Sequence, residues 1–351
     1  MTGKTDVPPV GVALIGAGMI APTHVAALSS IQARAQLHTI LSRRPERAEY
    51  LIEKYAGPRP SLTSELSSVT DKPDIQIAIV ATPPSIRIEL IEALAKAGKH
   101  ILLEKPVART VAEAEHVVNI CESAGVALGV LFQHRMRPSS KAAAKLINGG
   151  ELGKPGLVEI AAPLWREQSY YDELQRGTYV RDGGGVLITQ AIHTIDLALS
   201  LTGPVTRVQA MTATTPLHKM EAEDFAVAGL HFASGAFGSL VASTATFPHG
   251  RETIKLHYER GSLHLSSDNL DVFWRDGRCE QMMPNAIGAG EDGPIINKHE
   301  WHQAVIEDFI DAMQQDRAPM VTGREALASQ QLIQSIEISS KTGAPVTNPI
   351  S

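Results

Sequence analysis

The first third of the chain alternates short apolar runs with segments of helical periodicity. An apolar run bounded by turn residues predicts a buried strand, and an apolar stripe recurring every three to four residues predicts a helix. The predicted strands are Val10–Ile15, Leu37–Leu41, Ile75–Ala81, His100–Leu103 and Val126–Phe132. The predicted helices are the segment after Gly18, Glu46–Tyr55, Ile86–Ala97 and the segment that follows Thr110. Strands that alternate with helices imply a parallel sheet covered on both faces.

The last of these helices has a recognisable beginning. Residues 110–113 have the form T-x-x-E, which is typical of a capping box. Val111, Ala114, Val117 and Cys121 then recur on one face of the predicted helix.

From about residue 155 the pattern becomes that of an antiparallel meander. Strand-like runs occur at Phe225–Phe232, Ala236–Ala242, Thr253–Tyr258 and Ser262–Leu265, with turn pairs at Ser234-Gly235, Arg260-Gly261 and Asp276-Gly277. A helix is predicted at Trp301–Met313. We therefore expect an α/β protein with an N-terminal Rossmann dinucleotide-binding domain over 1–132. An α+β domain with a large open, mainly antiparallel sheet should follow over 133–351, its C-terminal helix packing back near the domain junction.

Composition narrows the class of protein. The chain has 351 residues, of which 43% are hydrophobic and 20% charged, as in ordinary globular proteins. A formal net charge of −6 argues against a general nucleic-acid binder. No apolar stretch approaches the ~20 residues that a transmembrane helix needs. The only two cysteines, Cys121 and Cys279, indicate no disulfide framework. We expect a cytoplasmic protein with a small-molecule partner and neither membrane nor nucleic acid.

The segment Gly16–Ala21 has the form G-x-G-x-x-A between a predicted strand and a predicted helix, as a dinucleotide fingerprint requires. The first glycine permits the tight turn, and Gly18 lets the backbone approach the pyrophosphate. Ala21 allows close packing of helix on strand. The helix N-terminus, with Met19 and Ile20, supplies N–H groups to the phosphates. The alternative is a tight strand–helix turn that binds nothing.

The end of the second predicted strand bears on the choice of cofactor. A site that prefers NAD usually has Asp or Glu about 20 residues past the glycines, where it binds the ribose 2′-hydroxyl. Here Ser42, Arg43 and Arg44 occupy that region. Guanidinium groups pair well with phosphate, so the sequence favours NADP(H), with NAD(H) still possible. The alternative is a solvated basic turn.

Three further segments resemble the Gfo/Idh/MocA family of oxidoreductases, and the resemblance covers nearly the whole chain. The first is Glu104-Lys105-Pro106 after a short strand, together with Thr82-Pro83-Pro84 after the preceding strand. The second is the run GGGVLITQAIHTID at 183–196. The third comprises the helix at His302–Met313 and the segment VTGREA at 321–326. The resemblance implies a dehydrogenase acting on a sugar, sugar acid, nucleotide sugar or cyclic polyol.

The resemblance also implies the roles of particular residues. Thr82, Pro83, Glu104 and Lys105 would join the glycine turn around the cofactor. Lys105 would orient the reacting hydroxyl and stabilise the alkoxide, and His193 would be the general base. Many family members have Asp at the position of Thr189, which can only form hydrogen bonds here.

Asp196 is a candidate for orienting His193, or for a purely structural pairing. The resemblance further implies a sheet-to-sheet homodimer or homotetramer.

A segment before the triple glycine carries candidate substrate residues. Trp165-Arg166, Tyr170-Tyr171 and Arg181 combine aromatic faces, which stack on sugar rings, with guanidiniums that pair with anions. The alternative is a packed crossover loop. Gln133, Arg135 and Arg137 could shape the substrate cleft or pin the domain junction.

Two other interpretations stay open. The chain could be a non-catalytic NADP- or sugar-sensing protein on the same fold, since fold does not fix function. It could also be a dihydrodiol or other carbonyl reductase of the same family. His299 and His302 lie three residues apart with no third ligand indicated, so we expect no metal.

Overall fold

The computed structural model describes residues 8–282 and 298–347. The strands are β1 (Val10–Ile15), β2 (Ala35–Leu41), β3 (Ser61–Thr63), β4 (Ile77–Val80), β5 (His100–Leu103), β6 (Leu128–Val130), β7 (Pro155–Pro163), β8 (Val205–Ala213), β9 (Phe225–Phe232), β10 (Phe237–Ser243), β11 (Thr253–Tyr258), β12 (Gly261–Ser266), β13 (Asn269–Trp274), β14 (Cys279–Met282) and β15 (Val346–Thr347). The α-helices are α1 (Ala21–Ser30), α2 (Glu49–Lys54), α3 (Ser67–Thr70), α4 (Ile88–Lys96), α5 (Val111–Ser123), α6 (Pro138–Asn148), α7 (Gln168–Tyr171), α8 (Ile192–Thr202), α9 (Glu300–Gln314) and α10 (Gly323–Thr342). None of the described helices is long and apolar enough to cross a membrane.

The first sheet has the order β3-β2-β1-β4-β5-β6, and each neighbouring pair is parallel. This is the strand order of a Rossmann sheet. Strands β1 and β4 are buried at every residue, which explains why they form continuous apolar runs. The predicted strands and helices of this region are confirmed, and the structure adds the short β3 and α3, which no pattern indicated. The predicted helix at Glu46–Tyr55 is divided into a 3₁₀ turn at Pro45–Arg47 and the helix α2.

The second sheet has nine strands in the order β14-β13-β12-β11-β7-β10-β9-β8-β15. Helices α6 and α8 pack against one of its faces. All neighbouring pairs are antiparallel except β7 with β10. The predicted continuous meander is therefore wrong at one point. Strands β10 and β11, which the sequence suggested would pair, are separated by β7. The half-buried apolar run of β7 fits a position in the middle of a sheet.

The chain forms two compact units. Among the described residues the first comprises 8–107, 112–131 and 298–325, and the second comprises 108–111, 132–282 and 326–347. The late segment enters the first unit through a bridge between Gly129 and Thr322. Gly129 has no room for a side chain there, since an added Cβ would lie 2.6 Å from the ring of Phe309. A single cut of the chain after residue 132 would separate α9 from this unit.

Candidate active site

The glycine turn connects β1 to α1 in the first unit. Gly16 has a φ of +108°, and an added Cβ would lie 2.7 Å from the carbonyl oxygen of Ala81. Only glycine satisfies both conditions. Gly18 is different, because an added Cβ there would meet no atom of the described residues within 4 Å. Packing within the protein therefore explains Gly16, whereas the open space at Gly18 fits a bound group that approaches the backbone.

Helix α1 begins without a side-chain cap and with no acidic residue in its first turn. The partial positive charge at the start of α1 is therefore not neutralised by a side chain of its first turn. Met19 is 55% exposed in the glycine turn. The Thr82 hydroxyl oxygen, next to the residue that Gly16 contacts, is buried and has no hydrogen-bond partner among the described residues. The turn thus fits the pyrophosphate of a dinucleotide.

The basic segment after β2 is exposed. The Ser42 N–H donates to the Thr63 carbonyl (2.9 Å), and the Ser42 hydroxyl oxygen accepts from the Arg44 N–H (3.3 Å). Within the described chain, no carboxylate lies within ion-pair distance of the Arg43 or Arg44 guanidinium. Both side chains are therefore available to an anionic ligand.

Arg87 fixes the segment that contains Lys105. Its side chain is 2% exposed, and its guanidinium donates to the carbonyls of Thr82 (2.6 and 2.9 Å), Glu104 (2.6 Å) and Pro106. A longer contact reaches the carbonyl of Val107 (3.4 Å). Burial lowers the pKa of Arg87 to about 10, against the opposing effect of the Glu104 carboxylate, so the group stays a cation at neutral pH.

Arg87 was not among the site residues predicted from the sequence, although its position in the helical pattern indicates a buried charge. Residues 87, 91, 94 and 95 share one helical face, and three of them are the buried apolar residues of α4. A charged residue that falls on an apolar stripe has to find a buried partner.

A buried carboxylate precedes Lys105. Glu104 Oε1 lies 2.9 Å from His24 Nε2 and 3.9 Å from His302 Nε2. Burial raises the pKa of Glu104, but the hydrogen bond and positive charge of His24, with smaller effects of His302 and Lys105, bring it down to about 2. Burial, and then the charge of His24, lower the pKa of His302 to about 4. Lys105 is thus followed by Pro106, whose carbonyl is held by Arg87, and preceded by Glu104, whose carboxylate is ionised at neutral pH.

In the second unit, His193 lies on the helical segment that follows the triple glycine. That segment begins as a π-helix at Leu187–Ala191 and continues as α8. The Glu223 carboxylate, which is buried, accepts from the N–H groups of Gly185 and Leu187 (3.0 Å each). An added Cβ on Gly185 would lie 1.7 Å from the Glu223 carbonyl oxygen, so glycine is obligatory there. Glu223, which the sequence analysis also missed, anchors the start of this segment.

The surroundings of His193 are aromatic. Its ring stacks on that of His134 with centroids 4.7 Å apart and meets the edge of Phe132 at 6.0 Å. The Asp196 carboxylate accepts two hydrogen bonds of 2.7 Å from the Arg135 guanidinium. The structural alternative for Asp196 is therefore the one that the geometry supports. Arg137 and Gln133, the other residues after the last Rossmann strand, are buried in the same unit.

The candidate substrate segment reaches the helical segment of His193 through Tyr170 and Gln190. The Tyr170 hydroxyl oxygen accepts from Arg176 Nη1 (3.1 Å) and Gln190 Nε2 (3.2 Å), and the Thr189 hydroxyl contacts Gln190 Oε1. Arg166 lies over the Tyr170 ring with its Cζ 5.5 Å from the centroid. Arg181 belongs to a different environment, because it donates to the Leu174 carbonyl (2.7 Å) and lies near two acidic side chains. Arg176 and Gln190 were not among the substrate residues predicted from the sequence.

Comparison with known proteins gives this arrangement a class. Residues 10–132 match the family described as "Oxidoreductase family, NAD-binding Rossmann fold", and residues 140–264 match the "GFO/IDH/MocA C-terminal domain". The 1,5-anhydro-D-fructose reductase of Ensifer adhaerens is 32% identical over 251 residues, which are 68% of this chain and 73% of the relative. The site is therefore that of an NAD-binding oxidoreductase. The chain belongs to the Gfo/Idh/MocA family.

Other similar proteins act on sugars. The levoglucosan dehydrogenase of Pseudarthrobacter phenanthrenivorans is 27% identical over 312 residues, 75% of each chain. The WlbA dehydrogenase of Bordetella pertussis, solved in complex with NADH and UDP-GlcNAcA, has a TM-score of 0.83 and 28% identity over 98% of this chain and 100% of its own. The expected family and fold class are thus confirmed.

Proposed function

We propose that this oxidoreductase interconverts a hydroxyl and a carbonyl group on a sugar, sugar acid, nucleotide sugar or cyclic polyol, with NADP(H) as the preferred cofactor. One series of contacts in the first unit carries the proposal. Gly16 packs against residues 81 and 82. The carbonyls of Thr82, Glu104 and Pro106 all accept hydrogen bonds from the Arg87 guanidinium. Lys105 is thereby fixed to the same framework as the dinucleotide turn.

The bound nicotinamide would accept or return the hydride of the substrate carbon. In the proposed mechanism the Lys105 ammonium donates a hydrogen bond to the substrate hydroxyl oxygen and stabilises the negative charge that grows there as the proton leaves. The Glu104 carboxylate, which stays ionised because its pKa is about 2, favours the charged form of its neighbour. The imidazole of His193 takes the hydroxyl proton in oxidation and returns it in reduction.

Thr189 would have a lesser role. Its hydroxyl donates to the Gly185 carbonyl (2.5 Å) and contacts Gln190, so it is already engaged in hydrogen bonds of the helix start. A hydroxyl of this kind positions its neighbours and does not carry a proton at neutral pH.

The NADP(H) preference rests on Arg43 and Arg44, which are exposed without a carboxylate partner among the described residues. A 2′-phosphate would provide the anion that this basic segment lacks.

We also propose a homo-oligomer formed through the sheet of the second unit. Its exposed face carries large apolar side chains at 40% exposure or more, namely Leu157, Met211, Phe237, Val241 and Phe273. Cross-strand pairing places Leu157 opposite Phe237 and both on the face opposite the buried residues. A second copy offers a matching apolar face.

The free thiols of Cys121 and Cys279 fit a cytoplasmic location, where thiols stay reduced.

A set of three substitutions tests the catalytic proposal. Lys105→Met keeps most of the bulk and removes the charge, so turnover should fall at least ~10²-fold while NADP(H) binding is largely retained. His193→Asn should lower turnover comparably and remove the dependence on pH that the imidazole imposes. Thr189→Ala should have a much smaller effect. The measurement is nicotinamide absorbance across a panel of sugars, sugar acids, polyols and nucleotide sugars, and near-normal turnover by Lys105→Met would exclude the assignment.

A further inference from the structure

Three arginines lie in the segment before the triple glycine, and the protein neutralises two of them. Arg176 donates to Glu173 Oε2 at 2.6 and 2.9 Å, and Arg181 lies 3.9 Å from the same oxygen and 3.6 Å from Asp182. Arg166 has no carboxylate within ion-pair distance anywhere in 8–282 or 298–347. Among the described residues, its side chain makes one hydrogen bond, from Nη1 to the neighbouring Trp165 carbonyl (3.3 Å), and its Nε is buried with no acceptor.

The backbone of Arg166 is held on both sides. Its N–H donates to the Thr244 carbonyl (3.0 Å), and its carbonyl accepts from His218 Nε2 (2.9 Å). His218 is itself fixed, because its Nδ1 lies 2.8 Å from Asp224 Oδ2 and both side chains are fully buried. The starting point of the Arg166 side chain is therefore set before any ligand binds. Such preorganisation reduces the entropy that binding has to overcome.

Tyr170 connects this guanidinium to the helix of the proposed base. Its ring lies beside Arg166, and its hydroxyl oxygen accepts from Arg176 and Gln190. Because both neighbours are donors, the hydroxyl hydrogen of Tyr170 is left to donate to a ligand oxygen. Gln190 in turn contacts Thr189, which precedes His193 by one helical turn. An uncompensated cation and a phenol donor thus lie on the side of the second unit that carries His193.

We infer that the substrate is a sugar acid, free or nucleotide-linked, and that Arg166 binds its carboxylate with help from the Tyr170 hydroxyl. This inference rests on the proposed dehydrogenase function. A single unpaired guanidinium matches the single charge of a carboxylate, and its planar fork matches the two oxygens. A phosphate dianion requires more positive charge, and the neighbouring arginines are already paired with Glu173 and Asp182.

Matched ligands that differ only in the carboxylate test the inference. The pairs are D-glucuronate with D-glucose and UDP-glucuronate with UDP-glucose, and D-glucose 6-phosphate serves as the phosphate probe. Wild type, Arg166→Gln and Arg166→Lys are compared by kcat/KM and by calorimetry on the NADPH-saturated protein, where binding is measured without turnover. Arg278→Gln is the matched control, since it removes the same charge from an exposed arginine paired with Asp276. Far-UV circular dichroism verifies that each variant is folded.

In the wild type, the acid of at least one pair should be used or bound at least tenfold better than its neutral partner. Arg166→Gln should reduce that preference tenfold to a hundredfold, as expected for a lost charge-assisted hydrogen bond, and change the neutral ligand less than about threefold. Arg166→Lys should retain part of the preference, and Arg278→Gln all of it.

Equal use of acid and neutral ligands, or an equal loss of both in Arg166→Gln, would overturn the inference. So would a preference for D-glucose 6-phosphate that depends on Arg166. Turnover of a neutral sugar that is indifferent to Arg166 would overturn the carboxylate site and leave the dehydrogenase function standing. Arg166-dependent binding of an acid, without turnover of any ligand, would support the site and contradict the dehydrogenase function.

Discussion

Replacement of Arg87 by leucine should damage both stability and catalysis. The variant leaves the carbonyls of Thr82, Glu104 and Pro106 without their donor in a place where the arginine was 2% exposed. Each buried acceptor that loses its partner costs about 1–3 kcal/mol. Part of this loss is offset because the variant no longer buries a charge, whose desolvation is evident in a pKa lowered to about 10. We expect a net destabilisation of roughly 3–5 kcal/mol, which is the loss at three acceptors reduced by this offset.

The catalytic effect has a separate cause. Arg87 holds the backbone on both sides of Lys105, and displacement of a catalytic group by about 1 Å can lower the rate 10²-fold. Turnover by Arg87→Leu should therefore fall by that order even where the protein remains folded. Arg87→Lys keeps the charge but cannot reach carbonyls on several sides, so it should restore only part of the stability and rate.

Urea unfolding monitored by circular dichroism measures the free energy of unfolding, and nicotinamide absorbance measures turnover below the unfolding transition. Arg324→Leu is the matched control in the same unit, because that arginine is 54% exposed in its pair with Glu122. Exposed pairs contribute about 0–1 kcal/mol. If Arg87→Leu were as mild as this control, the Lys105 segment would have to be held by other contacts, and the reasoning would be refuted.

Three further predictions concern the cofactor, the assembly and pH. NADPH should bind more tightly than NADH in fluorescence titrations, and Arg44→Ala should narrow this difference in affinity about tenfold to a hundredfold. Arg59→Ala is the control and should leave the difference unchanged, because Arg59 lies in an exposed pair with Glu49. Equal binding of the two cofactors by the wild type would contradict the preference. Light scattering should give at least a dimer mass at micromolar concentration, and Phe237→Glu should give monomers; a monomeric wild type would rule the assembly out. The pKa of His302 is lowered from 6.5 to about 4, so its neutral state contributes stability that is complete above pH 6.5 and is lost as the pH falls toward 4. His302→Gln should therefore flatten the dependence of the unfolding free energy on pH between these values. An unchanged slope would exclude His302 as the source of that dependence.

The parts of the site that the sequence predicted are those encoded by neighbouring residues. The glycine turn has a local signature because Gly16 is required by its own φ and by the strand beside it. The segment containing Lys105 was identified by its resemblance to the Gfo/Idh/MocA family, which is carried by a few consecutive residues after a strand. The parallel order of the first sheet followed from the alternation of strands and helices. These features depend on short stretches whose physical requirements leave few choices of residue.

The parts that the sequence did not predict depend on distant partners. Arg87 binds backbone carbonyls, which have no residue identity, so its role could be read only from its position just before α4, in line with the buried face of that helix. Glu223 anchors a helix start 36 residues earlier in the chain. Strand β7 inserts between two strands that follow it by more than 70 residues, and periodicity within a strand says nothing about its neighbours.

The return of residues 298–325 to the first unit affects the order in which the protein can fold during synthesis. Gly129 lies against Phe309, and the Val130 N–H donates to the Val321 carbonyl (3.1 Å), so these contacts cannot form until the ribosome has made residues 309 and 321. The nucleotide-binding unit is translated first but acquires its final helix last. Synthesis proceeds at about 5–20 residues per second, and the emerging sheet exposes an apolar surface until residues 298–325 have been made. Chaperones bind apolar surface of this kind on a nascent chain.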